Sequence, residues 1–377
     1  MFETMSHLAL QHYWWFIISV LGAVLVLLMF VQGGQTLFAC LAKDNDERTM
    51  LINVLGRKWE FTFTTLVTFG GAFFAAFPLF YSTSFGGAYA AWIILLFAFV
   101  FQAVSYEFRS RPNNFFGAKT YEVLLFINGL LGTFLIGVVV ASFFTGSQFF
   151  INDMKESFWQ SPFRGIELLF NLHNVSLGLA VFFLARTLGL LYFLNSISDE
   201  ALEARIRSRI TRNALPFVVF FFVFFIWLMS RDGYAVNSNN AEVYMQANKY
   251  LNNFLDMPVV GLLLLAGVVM ILWGIGISIF TKSNKGIWYT GGGTFLAVLN
   301  LLLAAGYNNT AFYPSSYDPQ SSITIMNGSS SHFTLTVMSY VSLLVPIVIA
   351  YIWYAWKSIN NKPMTREELK STDSHIY

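Results

Sequence analysis

Glu60 follows Lys58 and Trp59 and heads an apolar run that continues to Phe80, in the stretch GRKWEFTFTTLVTFGGAFFAAFP. A carboxylate at the mouth of a hydrocarbon-length segment is chemistry in an expensive place, because an unpaired buried charge is costly and tends to take up a proton. Two readings fit: an interfacial acid paired with Lys58 or a cation from a neighbouring loop, or a proton-uptake group with Lys58 and Trp59 in support. Three more acids lie near the ends of apolar segments. Glu107, in SYEFRSR, is within a turn of Arg109 and Arg111, Glu122 follows Lys119, and Glu167 opens a later segment. A cation within about four residues makes a local ion pair the first expectation for each. Glu60 and Glu107 also fall on one membrane face, where Arg111 and water would complete a proton relay.

Redox and metal chemistry is poorly provided for. His173 is the one histidine inside an apolar segment, so paired haem ligation is ruled out, and hydrogen bonding to Asn171, Asn174 or a backbone carbonyl is expected over single proximal ligation. The single cysteine, Cys40, allows no internal disulfide or thiolate metal site. No metal is expected in this chain.

The elements that must position these groups are membrane helices. Of 377 residues 56% are apolar and only 11% charged, far below a soluble domain. The fold class expected is all-α integral membrane, a single polytopic domain over 1–377. Nine segments reach spanning length: Tyr13–Leu41, Phe61–Tyr81, Ala88–Phe108, Tyr121–Phe144, Gly165–Leu194, Ala214–Met229 (short), Pro258–Phe280, Ile287–Ala305 and Thr334–Trp356. The N-terminus lacks a basic n-region, so the first segment reads as a retained span. Gly70-Gly71, Gly132 with Gly137, and the Gly291 triplet suggest close helix approach. No nucleotide or nucleic-acid motif is present.

Lysines and arginines concentrate in the connections after odd-numbered spans and in the tail, whereas the other connections hold only Lys155, Arg164, Arg231 and Lys249. The positive-inside rule then puts the N-terminus outside and the C-terminus in the cytoplasm. Of the two long outer connections, Ser230–Met257 suggests an interfacial helix over Ala241–Leu255, with Tyr244, Met245, Tyr250 and Phe254 towards lipid. Gly306–Phe333 suggests an ordered-turn cap. Uniformly apolar midplanes favour a non-redox subunit of a membrane complex over a secondary transporter, which would show broken helices around a polar site.

The chain resembles subunit II of cytochrome bd-type quinol oxidases. The resemblance is carried by QHYWWFIISVLGAVLVLL, the Trp59-Glu60 block ending GGAFFAAFP, VSYEFRSR, SSSHFTLTVMSY and the closing SHIY. It implies two four-helix bundles plus a peripheral helix, with the first bundle over about 13–144, the remaining helices over 165–356 and a cytoplasmic tail at 357–377. It also implies a haem-bearing partner, subunit I, carrying haem b and haem d, in a bacterial cytoplasmic membrane. The complex would oxidise membrane quinol and reduce dioxygen to water, making a proton gradient without pumping. By the same resemblance Glu60, Glu107, Arg111 and Tyr377 match positions of a cytoplasmic proton route. A small single-helix subunit and a structural quinone or lipid are left open, as is the choice of quinone. Gln32 and Gln35 stand where many members have acids, and Thr65 where a second Trp is common, so roles tied to those groups do not transfer.

Overall fold

The structure, a computed structural model, describes residues 2–281, 283–359 and 363–365. Tyr377 and most of the expected tail lie outside them.

The chain is helical and folds as a multi-span membrane protein. Among the described residues eight helices are long and apolar enough to cross a bilayer. The first crossing joins α1 (His7–Leu28) to α2 (Phe30–Gln35), and the short α3 (Phe38–Leu41) leads to α4 (Asn45–Gly56). The count reaches nine where a bent pair makes one span: α4 and α5 (Trp59–Ala76) meet Pro78–Gly86 at 120°. The cause is local, since Pro78 offers no N–H to continue α5 and instead opens α6 (Pro78–Tyr81). Next come α7 (Tyr89–Phe108), α8 (Ala118–Thr145), α9 (Leu172–Ser196), α10 (Glu200–Ser230), the short α11 (Lys249–Asp256), α12 (Pro258–Phe280), α13 (Gly286–Gly306), α14 (His332–Ser342) and α15 (Val345–Ile359). Side-chain caps fix several starts: Asp44 accepts from the Glu47 amide at 2.7 Å and Asp199 from the Leu202 amide at 2.9 Å.

Three boundaries differ from expectation. The short sixth segment is the apolar end of the 31-residue α10, whose first turns carry Arg205, Arg207, Arg209 and Arg212 out of the apolar zone. The fifth helix starts at Leu172, after Gly165 takes φ +99° and a 3-10 turn runs from Ile166 to Phe170. The ninth segment is divided between α14 and α15.

Small residues set the tightest helix contacts. A Cβ at Gly33 would fall 2.0 Å from the Ala185 backbone, and one at Gly137 2.7 Å from Gly178, locking α2 and α8 onto α9. Gly267 and Gly293 do the same for α12 and α13. Gly71 is different, because a Cβ there meets nothing in the chain. The face away from the cation-rich connections is capped by three hairpins: β1 (Phe149–Ile151) with β2 (Ser157–Trp159), β3 (Gly233–Val236) with β4 (Val243–Gln246), and β5 (Ala311–Tyr313) with β6 (Ile323–Thr324).

The expected Ala241–Leu255 helix is therefore half strand, because Tyr244 and Met245 pair with β3. Only Tyr244 and Met245 face outward. Tyr250 and Phe254 are buried, with the Tyr250 hydroxyl donating to the Phe144 carbonyl at 3.2 Å.

Candidate functional site

Glu60 sits in the first turn of α5, where the helix dipole favours a carboxylate, and it is exposed. This chain's own atoms thus do not enclose it as the apolar mouth implied. Lys58, its expected partner, turns the other way. It is 1% exposed, with its ammonium 4.6 Å from the Trp356 ring centroid and 5.7 Å from that of Phe61, and has no hydrogen-bond acceptor among the described residues. Glu60 shares the open side of α5 with Thr64, Val67, Thr68 and Gly71.

Buried Trp59 begins a polar trail into the bundle. Its ring stacks on Tyr106 at 5.9 Å and 14°, and the Tyr106 hydroxyl accepts from Gln35 Nε2 at 3.1 Å. One turn deeper, Gln32 Nε2 donates to Gln102 Oε1 at 3.1 Å. Asn128 of α8 is buried beside Gly129, whose Cα packs on the Gln32 backbone. Six polar atoms of these residues are buried without a hydrogen-bond partner among the described residues: Trp59 Nε1, Gln32 Oε1, Gln35 Oε1, Gln102 Nε2 and both Asn128 side-chain heteroatoms. Sequence reasoning weighed Gln32 and Gln35 only as lost acids and missed Gln102 and Asn128. The available signal was spacing, since Gln32/Gln35 and Gln102/Tyr106 each lie one turn apart on a helix face.

Among the described residues, none of the three acids Glu107, Glu122 and Glu167 pairs with the neighbouring cation expected for it. Glu122 binds Arg109 at 2.9 Å and Arg48 at 3.2 Å, tying α8 to α7 and α4, rather than Lys119. Glu107 is exposed, and Arg111 reaches its backbone carbonyl at 3.3 Å instead of its carboxylate. Glu167 takes the Trp159 indole N–H at 2.6 Å and the Gly165 amide at 2.8 Å. Glu47, buried, pairs with Arg205 at 2.5 Å. Glu60, Trp59, Glu107, Arg111 and this arginine–carboxylate lattice all lie at the cation-rich face.

Arg186, inside α9, escaped the count of connections. Its Nε donates to Asn213 Oδ1 at 2.6 Å and its Nη1 to Thr36 Oγ1 at 2.9 Å, joining the end of the first crossing to α10.

His173 is engaged at both ring nitrogens, by the Phe224 carbonyl at 3.1 Å and Arg231 Nη1 at 3.0 Å, which leaves neither for a haem iron. No group of three or more potential metal ligands gathers among the described residues. The break at Pro78 is filled by aromatic rings, with Phe73 and Phe80 at 4.3 Å and Phe80 and Tyr313 at 4.9 Å.

A multi-span helical scaffold, with its arginine–carboxylate pairs gathered at one face and no ligand set for a redox centre among the described residues, is the architecture of an accessory subunit in a membrane enzyme. The chain belongs to the cytochrome bd terminal oxidase subunit II family, whose sequence model matches residues 10–359. It is 28% identical to cytochrome bd-I ubiquinol oxidase subunit 2 of Escherichia coli K12, over 98% of both chains. It is 26% identical to cytochrome bd ubiquinol oxidase subunit 2 of Bacillus subtilis 168, over 95% of this chain and 99% of that one. Its fold matches the bd oxidase structure from Geobacillus thermodenitrificans with a TM-score of 0.58 at 12% identity, covering 94% of this chain and 99% of the other.

Proposed function

We propose that this chain is the haem-free subunit of a quinol-oxidising, oxygen-reducing complex in a bacterial inner membrane, and that it admits protons for water formation from the cytoplasm. Subunit I would carry haem b, haem d and the quinol site. Family membership supports the complex, and the charge asymmetry of the connections supports an outer N-terminus and cytoplasmic C-terminus.

The observation carrying the proton reading is the setting of Glu60: a carboxylate at the cation-rich face, on the open side of α5, beside the buried trail Trp59, Tyr106, Gln35. The open side, lined by Thr64, Thr68 and Gly71, has room for a close-packed partner helix. That partner would supply the desolvation this chain does not. Glu60 then accepts a proton at the face and hands it across the interface, with exposed Glu107 and Arg111 as outer relay groups. In the whole complex, Glu60→Gln should lower quinol-dependent oxygen uptake by on the order of tenfold or more while the haem spectrum survives, and Glu60→Asp should retain much of it. Undiminished uptake in Glu60→Gln would remove Glu60 from the route.

A further inference from the structure

A cavity of about 670 Å³ lies between the first crossing, the end of α9, the start of α13 and α15. Its apolar walls include Leu27, Ile287, Gly292 and Ile349. Three helix ends converge on its rim at the cation-rich face: Asn195 in the last turn of α9, Trp288 in the first turn of α13, and Trp356 and Lys357 near the end of α15. The volume is that of a small-molecule site, and exposed Ile349 and Trp353 leave it open towards the bilayer.

Positive charge and hydrogen-bond donors at this rim lack complements among the described residues. The Trp356 indole N–H is buried with no acceptor among the described residues. On the same ring rests the Lys58 ammonium, buried and equally without an acceptor. Lys357 lies 5.3 Å from the Trp353 ring centroid, and no carboxylate among the described residues pairs with it. An aromatic face offsets only part of the cost of an uncompensated buried ammonium. A group bringing negative charge and oxygen acceptors to this end of the cavity, with hydrocarbon for the rest, would complete it. A quinone supplies neutral carbonyls and leaves both lysines without a counter-charge.

We propose that the cavity is a binding site for one anionic diacyl phospholipid of the leaflet at the cation-rich face. The phosphate sits against Lys357, Trp356 and Asn195, Lys58 supplies charge from behind the Trp356 ring, and an acyl chain lies along α13 and α15. The site is independent of the Glu60 proton route.

The test is native mass spectrometry of the purified complex before and after detergent exchange, followed by adding back phosphatidylglycerol or phosphatidylcholine to delipidated complex. One tightly retained phospholipid with an anionic headgroup is expected, with phosphatidylglycerol rebinding preferentially. Lys58→Gln combined with Lys357→Gln should cut that preference by about tenfold. Lys357→Gln alone, at an exposed position, should weaken it even if the double variant fails to assemble. Ile349→Trp, at the exposed mouth, should lower retention of either lipid. Retention of a quinone instead, equal rebinding of the two lipids, or indifference to the lysine substitutions would overturn the assignment.

Discussion

Arg109, at the end of α7, reaches across to Glu122 on α8 and not to Glu107 two residues before it. Its Nη2 lies 2.9 Å and its Nε 3.1 Å from Glu122 Oε1, and Arg48 of α4 approaches the other oxygen at 3.2 Å. Along a helix the side chain two residues away points to a different face, so the nearer acid in sequence is the farther one in space. One carboxylate thereby joins three elements at the cation-rich face.

Glu122→Gln should therefore be the structural loss and Glu107→Gln the mild one. With Glu122 only 13% exposed, leaving two guanidinium groups without it should cost about 2 kcal/mol. A lowered thermal inactivation temperature of the complex for Glu122→Gln, against little change for Glu107→Gln, is the expected pattern. If Glu107→Gln lowers turnover as much as Glu60→Gln at unchanged stability, the two acids form one relay.

The amide pair Gln32–Gln102 offers a sign test. Replacing only one amide strands the other in a buried site, at about 1–3 kcal/mol, whereas replacing both with apolar groups of similar shape removes the unmet demand. Gln102→Leu and Gln32→Leu should each destabilise, and the double leucine variant should be more stable than either. Strictly additive losses in a double-mutant cycle would show that the amides are not coupled through their 3.1 Å hydrogen bond.

Much of this fold was legible because a bilayer demands a simple signal, about 20 apolar residues per crossing, and eight of the nine expected segments correspond to helices long and apolar enough to cross, the remaining one to the bent pair. The 120° bend was not legible, although Pro78 was visible, since apolar content runs unbroken through Phe77 and Phe80. The same limit hid the inward turn of Tyr250, which depends on β4 pairing with β3. At the candidate site, Glu60 was singled out because a carboxylate heading a long apolar run stands out in the sequence. Its neighbours were misjudged because proximity along the chain stood in for geometry: Lys58 is carried to Trp356, nearly 300 residues on, and Arg109 to the next helix. Gln102 and Asn128 were passed over because uncharged amides do not interrupt a hydrophobic run.

Arg186 should resist even a conservative change. Its guanidinium addresses Asn213 and Thr36 at once, on different elements, and an ammonium on a single stem cannot reproduce that fork. Arg186→Lys is expected to destabilise by about 1–3 kcal/mol, with coupling to Asn213→Ala of at least ~0.5 kcal/mol. Independent losses at the two positions would mean that the Arg186–Asn213 contact adds nothing of its own.

On the opposite face, Lys249 makes a prediction about pH. It is buried at the start of α11, with its Nζ donating to the Asn308 carbonyl at 2.8 Å. Burial holds its pKa below the ordinary lysine value, with the Asp256 carboxylate pulling the other way. Because the folded value lies below the unfolded value of 10.5, the unfolded chain binds more protons between the two. Stability from this group therefore rises as pH climbs through the folded value towards the unfolded one, and no such gain is present below the folded value. Lys249→Met abolishes the titration. Thermal inactivation measured from about pH 7 to 10 should then show the unsubstituted complex gaining on the variant as pH rises. Parallel curves would mean that the lysine keeps enough hydration or enough of the Asp256 field to escape the cost of burial.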